Sequence, residues 1–188
     1  KRIAALSSES KNVTFKWLIQ HITEENLISC FHKLDGAKAL GIDGVSKEEY
    51  GVNLEENIRA LIERMKNMDY YPAPVRGIKI PKGDGKFRPL GISNIEDKIV
   101  QMMFAKILNA IYEPVFVEES FGFRPGRSCH GAIQNLHSYL STKNYGAIID
   151  VDLSNFFGTI NHRKLIQLLE KKIKDKVFIR YIVRMLKA

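Results

Sequence analysis

Cysteine is scarce in this chain. Only Cys30 and Cys129 occur, far apart and outside any metal-type spacing. That excludes a disulfide framework and a zinc site, and fits a reduced, cytosolic setting. No apolar run is long enough to cross a bilayer as a helix, and no secretory leader stands at Lys1, so the sequence predicts no membrane partner. Internal repeats and low-complexity tracts are also missing, which removes solenoid and linker architectures. Disorder is excluded from the other side, because 45% of the 188 residues are hydrophobic, enough for a real core. At 21.5 kDa the chain is one large domain or a domain and a half.

Acidic residues are outnumbered, and unevenly. The net charge is +8. Between Arg163 and Lys187 nine Lys/Arg face two acids, Glu170 and Asp175. Between Arg76 and Arg88 five face one, Asp84. Positive charge concentrated in this way suits a polyanion, since neutralising phosphates releases condensed counterions. A solvated basic surface is the plainer alternative, and charge alone does not define an enzyme.

The hydrophobic pattern predicts a helix-rich α+β protein. Apolar positions from Phe15 to Leu34 read as two short helices broken near Thr23, which would cap the second. Gly41-Ile-Asp-Gly44 marks a loop. Ser46 with Glu49 makes a capping-box pattern, and another helix spans roughly Leu54 to Asn67. Pro72 and Pro74 end that texture. Val75 to Ile80 and Phe87 to Ile92 then read as a hairpin about Gly83-Asp-Gly85, with basic residues near its tip. Asp97 to Tyr112 is the clearest amphipathic helix, closed by Pro114. Ser120 to Ser128 is a glycine- and arginine-rich connector, and Cys129 to Ser141 is helical. Tyr145 to Leu153 reads as a buried strand, and Arg163 to the end as helix.

Three features bear on chemistry. Strand alternation would place Asp150 and Asp152 on one face of the run Ala147-Ile-Ile-Asp-Val-Asp-Leu153. An acid in such a run is costly unless paired or metal-bound. Asp152 is therefore either a Mg²⁺ ligand for phosphoryl transfer or the cap of the next helix, and both readings stay open. One aspartate does not hold two metals, so a further carboxylate has to come from elsewhere. In Lys79-Ile-Pro-Lys-Gly-Asp-Gly-Lys-Phe-Arg88, Lys82 and Arg88 could meet a triphosphate, a compact charge beside a bidentate fork. An exposed hairpin would carry the same residues. Ser120-Phe-Gly-Phe-Arg-Pro-Gly-Arg-Ser128 could stack on or contact a nucleic-acid strand, or its phenylalanines could plug a core.

Taken together these segments resemble the group II intron-encoded reverse transcriptases. Lys79 to Ser93 resembles that family's Pro-Lys, glycine-turn, Arg-Pro-Leu-Gly-Ile motif, and Asp97-Lys-Ile-Val-Gln101 the start of its following helix. Phe121 to Ser128, with His130 and Ala132-Ile133, is similar to the next block. Asp152-Leu-Ser-Asn-Phe-Phe157, with Ile160 and His162, is similar to the palm motif carrying the first catalytic aspartate. Gly41-Ile-Asp-Gly44 matches the block before the fingers. Order and spacing agree from about residue 36 onward.

The resemblance implies a right-hand polymerase fold. Residues 1–35 would form an N-terminal helical extension that grips template, 36–144 the fingers, and 145–188 the start of the palm. It implies an RNA-directed DNA polymerase using two Mg²⁺ ions, with RNA template, DNA primer, dNTP and group II intron RNA as partners. The expected setting is a ribonucleoprotein in a bacterial cytoplasm, with a maturase role in splicing. Asp152 would be the catalytic metal ligand, with the backbone carbonyl of Val151 a second contact. Lys82 and Arg88 would hold the triphosphate. Phe157, or else Phe156, would wall off the sugar 2′ position, and Arg124 would lie near template or nucleotide. Domesticated CRISPR-associated or diversity-generating relatives fit the same motifs.

Two departures stand out. Gly158 occupies a place where the family commonly has Asp, a residue expected to be structural. The Tyr/Phe-x-Asp-Asp block with the remaining metal carboxylates does not occur, so the sequence reads as the N-terminal part of a longer enzyme and is expected not to polymerise alone. The alternative function is a non-catalytic RNA-binding splicing maturase. A polymerase making RNA is the third, and the bulky Phe157 counts against it.

Overall fold

A computed structural model describes residues 2–10, 12–83, 85–142 and 147–188. In chain order the elements are α1 (Arg2–Glu9), a 3₁₀ turn (Ile19–His21), α2 (Glu24–Lys33), α3 (Lys47–Val52), α4 (Leu54–Lys66), β1 (Arg76–Gly83), β2 (Lys86–Ile92), α5 (Ile95–Tyr112), a 3₁₀ turn (Glu113–Val115), α6 (Cys129–Thr142), α7 (Phe156–Thr159), α8 (His162–Lys172) and α9 (Lys176–Met185). The result is a helix-rich α+β chain whose two strands pair antiparallel. It divides into two units. The larger takes Thr14–Leu108 and His162–Ala188, the smaller Lys1–Val13 and Asn109–Asn161.

In the larger unit, local signals start the helices where the sequence predicts. Thr23 Oγ1 accepts from Asn26 N at 3.3 Å to cap α2. Ser46 and Glu49 form the reciprocal box that opens α3, with Glu49 N donating to Ser46 Oγ (3.1 Å) and Ser46 N to Glu49 Oε2 (2.8 Å). Each satisfies amide donors that the first helical turn leaves unpaired. The expected helix before Thr23 is a single 3₁₀ turn instead, and α1 is an element that its sequence, Arg2 to Glu9, does not announce.

Packing then joins α2, α4, α5 and α9. Leu27, Ile58, Leu61, Ile99, Val100 and Phe178 are fully enclosed. Phe104 stacks on Phe178 with ring centroids 4.4 Å apart, and Tyr181 meets the edge of Phe104. The Tyr181 hydroxyl donates to the Met65 carbonyl at 2.6 Å, which also accepts from Met68 N at 3.1 Å at the end of α4. Beyond that end Met68 takes a left-handed backbone (φ 62°). Arg184 Nη1 donates to the Met68 and Tyr70 carbonyls (2.8 and 2.7 Å), and its guanidinium lies 3.8 Å from the Tyr71 ring centroid.

The helical run predicted from Arg163 onward is broken between α8 and α9. Asp175 causes the break. Its Oδ1 accepts from Val177 N and Phe178 N, both at 3.0 Å, and its Oδ2 from Ile19 N at 2.9 Å. Beside it Phe15 bridges Ile173 in parallel, through Phe15 N to Lys172 O (2.8 Å) and Lys174 N to Phe15 O (2.7 Å). Segment 14–19 is thereby fixed at both ends to the α8–α9 junction.

The smaller unit packs α1 on the 3₁₀ turn after α5, with Ser7 Oγ donating to the Ile111 carbonyl at 2.6 Å. The buried strand expected up to Leu153 is not found. Tyr145 and Gly146 fall outside the described residues, and Ala147–Leu153 is irregular and exposed, Ile149 at 87%. A strand needs a neighbour for its N–H and C=O groups. Among the described residues the single sheet is β1–β2, which pairs only with itself.

Candidate nucleotide and nucleic-acid site

The hairpin is built by its own register. Ile78 lies opposite Leu90, Ile80 opposite Arg88 and Pro81 opposite Phe87, with a shift between Pro81 and Gly83 that leaves Lys82 without a direct partner. Directly paired residues point to the same face, so Arg88 shares a face with Ile78, Ile80 and Leu90. Asp84 lies outside the described residues, and Gly85 takes φ +68°, a left-handed position natural to glycine. Along β2 only Ile92 is buried. Lys82 and Arg88 are both exposed.

The base of the hairpin is braced at the start of α5. Asn94 Oδ1 accepts from Ile42 N at 3.0 Å and Asp43 N at 3.5 Å. A Cβ on Gly41 would come within 2.1 Å of that oxygen and 2.7 Å of the Asn94 Cα, so the Gly41-Ile-Asp-Gly44 loop closes on α5 only without a side chain there. Glu96 and Asp97, in the first turn of α5, each hold two further contacts. Glu96 receives Arg64 Nη2 at 2.6 Å and the Tyr50 hydroxyl at 3.3 Å. Buried Asp97 receives the Tyr70 hydroxyl at 2.6 Å and Ala73 N at 3.1 Å. Burial pushes the Asp97 carboxyl above the usual carboxylate range, against the two hydrogen bonds that lower it. Burial, then the hydrogen bond to Asp97, pushes Tyr70 upward. This brace escapes the sequence analysis, and its signal is the pair of acids opening an otherwise apolar helix.

In the smaller unit, Arg124 is turned inward. Its side chain is 7% exposed and pairs with Glu113 Oε1 at 2.9 Å. Nη1 donates to the Val117 and Ser120 carbonyls, both at 2.8 Å. These bonds shape the loop 113–120. Arg127 holds Glu118 (2.7 Å) and lies over Phe121. Phe123 has φ 57° and is fully exposed, while Phe121 is half-buried. Of the two phenylalanines, Phe123 is therefore the one free to stack.

Asp150, Val151 and Asp152 are all exposed. The N-cap position of α7 is Asn155, at φ 47°, so the capping role considered for Asp152 falls. Phe156 and Phe157 open α7 with their rings edge to face, centroids 5.5 Å apart, and Phe157 is 76% exposed. A Cβ at Gly158 would sit 2.6–2.9 Å from the Asn155 amide, so the Asp common in the family would require that amide to move. No group of three or more His, Cys, Asp or Glu suited to a metal occurs among the described residues. The Asp152 carboxylate and Val151 carbonyl are hard oxygen donors of the kind Mg²⁺ takes. They fit part of a shell, with the remainder to come from water, phosphate and other carboxylates.

Lys82 and Arg88 thus belong to the larger unit, and Arg124, Val151, Asp152, Phe156 and Phe157 to the smaller. The motifs stand in the order that the reverse transcriptase family has them. Residues 80–187 match the reverse transcriptase (RNA-dependent DNA polymerase) family, and the chain belongs to that family. It is 34% identical to the group II intron-encoded protein LtrA of Lactococcus lactis over all of this chain and 31% of that protein. It is 31% identical to protein YkfC of Escherichia coli over all of this chain and 51% of YkfC. A 91 kDa protein in a cob intron of Schizosaccharomyces pombe is 34% identical over 97% of this chain and 23% of its own length. The chain therefore spans between about a quarter and a half of these relatives.

Proposed function

We propose that this chain is the nucleotide-receiving and first-metal part of an RNA-directed DNA polymerase of the group II intron type. Residues 1–35 form its N-terminal extension, 36–144 its fingers and 145–188 the start of its palm, within a right-hand fold. The observation that carries the reading is the braced hairpin. It presents Lys82 and Arg88 in solvent on a pair of strands, and the link from the second strand to α5 holds the 41–44 loop through Asn94. Two cations on paired strands suit a triphosphate, which needs charge and positioning more than covalent chemistry.

Asp152 and the Val151 carbonyl would supply part of the oxygen shell of a Mg²⁺ ion. The metal, when bound, neutralises phosphate charge during nucleotidyl transfer. Phe157, with Phe156 beside it, walls the sugar 2′ position. Arg124 acts through the loop it shapes, because its donors are engaged within the chain, and Phe123 and Arg127 offer the contact surface beside it. The partners are an RNA template, a DNA primer, dNTP and the intron RNA, in a bacterial cytoplasmic ribonucleoprotein.

The test is dNTP incorporation on an RNA template with annealed DNA primer, in Mg²⁺, using the whole protein and its Asp152→Asn variant. Loss of incorporation in the variant supports the polymerase and the metal role. Inactivity of the intact whole protein, with tight and salt-dependent binding of structured RNA, supports the non-catalytic splicing maturase instead.

A further inference from the structure

Asn155 takes a left-handed backbone, φ 47° and ψ 42°. Residues with a Cβ adopt that region at a cost, and asparagine is among those that tolerate it best. It stands at the N-cap position of α7, yet its side chain makes no cap hydrogen bond, although accepting from a first-turn amide is what asparagine ordinarily does there. The side chain lies across Gly158 instead. A Cβ on Gly158 would come within 2.6 Å of Asn155 Nδ2, 2.7 Å of Oδ1 and 2.9 Å of Cγ. The amide therefore fills the space that a side chain at 158 would need, and a larger residue there expels it.

This pair brackets Phe156 and Phe157. The helix between them is a single turn, too short to persist by its own hydrogen bonds. The Asn155 carbonyl accepts from Thr159 N and Thr159 Oγ1, both at 3.1 Å, and the Phe156 carbonyl from Thr159 Oγ1, also at 3.1 Å. Residues Asn155 to Thr159 are all exposed, so no core packing among the described residues fixes the Phe157 ring. Its edge-to-face contact with Phe156 moves with the turn. The direction of the ring is left to contacts within the turn, of which the Asn155 amide against Gly158 spans both phenylalanines.

We infer that Asn155 is a positioning residue for Phe157, and that its amide, seated on Gly158, sets how closely that ring approaches the sugar of an incoming nucleotide. The inference rests on the polymerase reading above and names a second residue behind its preference for dNTP over NTP. A wall excludes a hydroxyl by its position, and a displacement of about 1 Å near a reacting centre changes rates by up to about a hundredfold. Gly158, where the family commonly has Asp, is then the accommodation that lets an amide take this seat.

The test is the ratio of kcat/KM for dNTP to that for the matching NTP, read on an RNA template with annealed DNA primer in the whole protein. Asn155→Gly removes the amide and leaves the left-handed backbone unstrained. Gly158→Ala improves helix propensity and expels the amide. Each lowers the ratio about tenfold, chiefly by raising kcat/KM for NTP. The double variant lowers it no further, because both changes remove one contact. Asn155→Asp keeps the shape and the tolerance of the left-handed backbone, and holds the ratio within about threefold of the parent. In a Phe157→Ala background, Asn155→Gly leaves the ratio where it was. Losses that multiply in the double variant, equal falls for both nucleotides, or an unchanged ratio in Asn155→Gly would each overturn the assignment. So would the absence, in the nucleotide-free 188-residue chain, of a nuclear Overhauser contact between the Asn155 amide hydrogens and the Gly158 α-hydrogens. A parent that incorporates neither nucleotide removes the polymerase reading and this role together, whereas an active parent with an unmoved ratio in the variants removes only the role.

Discussion

Asp175 supports three amides at once, and its replacement separates two kinds of stabilisation. In Asp175→Ala the first turn of α9 loses its cap, which costs about 1 kcal/mol and at most about 2 kcal/mol. The Ile19 amide, which now donates to Oδ2 at 2.9 Å, loses its acceptor. A part-buried amide left in that state costs up to a further ~1–3 kcal/mol. The expected loss is about 2–4 kcal/mol. Asp175→Asn keeps one carbonyl oxygen for Val177 and Phe178 but turns an NH₂ group toward the Ile19 N–H, so it loses mainly the second part, about 1–3 kcal/mol. Urea unfolding followed by circular dichroism reads both. With a slope of about 2 kcal/mol per molar, Asp175→Ala lowers the midpoint by about 1–2 M. Trp17 emission, two residues from Ile19, reports local release of the 14–19 segment before the global transition. If Asp175→Ala moves the midpoint by less than about 0.3 M, the triple role assigned to this carboxylate is wrong.

Other substitutions test other parts of the structure. Asp152→Asn is expected to change stability by no more than about 0.5 kcal/mol, because the residue is exposed, so a calorimetric melt close to the parent's would separate chemistry from folding. Gly41→Ala forces a Cβ into Asn94 backbone and is expected to cost about 2 kcal/mol or more, with faster hydrogen exchange at Ile42 and Asp43. Tyr181→Phe removes one of the two donors to the Met65 carbonyl and costs about 1 kcal/mol by chemical denaturation. For Asp97 the folded carboxyl titrates above its unfolded value. The native chain then holds a proton that the unfolded chain has released, so this group's stabilisation is complete below the ordinary carboxylate range and is lost as pH rises through the raised value. Asp97→Asn should flatten that part of the stability–pH curve. An unchanged curve would show that Asp97 does not titrate in this way.

Short-range chemistry was the legible part of the sequence. The Ser46–Glu49 box, the Thr23 cap, the period of α5 and the two arms of the hairpin each depend on residues a few places apart, and all stand where the pattern puts them. What needed a distant partner was not legible. Asp175 looks like one more charge in a basic run until Ile19 arrives to use its second oxygen. Tyr70 and Asp97 are 27 positions apart, and neither signals the other. The 147–153 run has a strand's alternation, yet alternation describes only side chains, and the backbone also requires a neighbour. The same division holds for the candidate site. Lys82 and Arg88 were readable as a hairpin pair, whereas nothing around Arg124 in sequence discloses that Glu113 and two carbonyls occupy its guanidinium.

The exposed run Ala147–Leu153 also bears on solubility. Ile148, Ile149, Val151 and Leu153 stand in solvent on an unpaired backbone. Short β-branched segments of this kind template pairing between copies unless charge interrupts them. Asp150 and Asp152 are the interruption, since two copies aligned in register would bring their carboxylates together. A divalent cation at these acids would neutralise that repulsion. Millimolar Mg²⁺ should therefore raise light scattering from concentrated solutions of this chain, and Asp152→Asn should raise it without the metal. On this expectation the residue proposed to hold the ion would also keep neighbouring molecules apart.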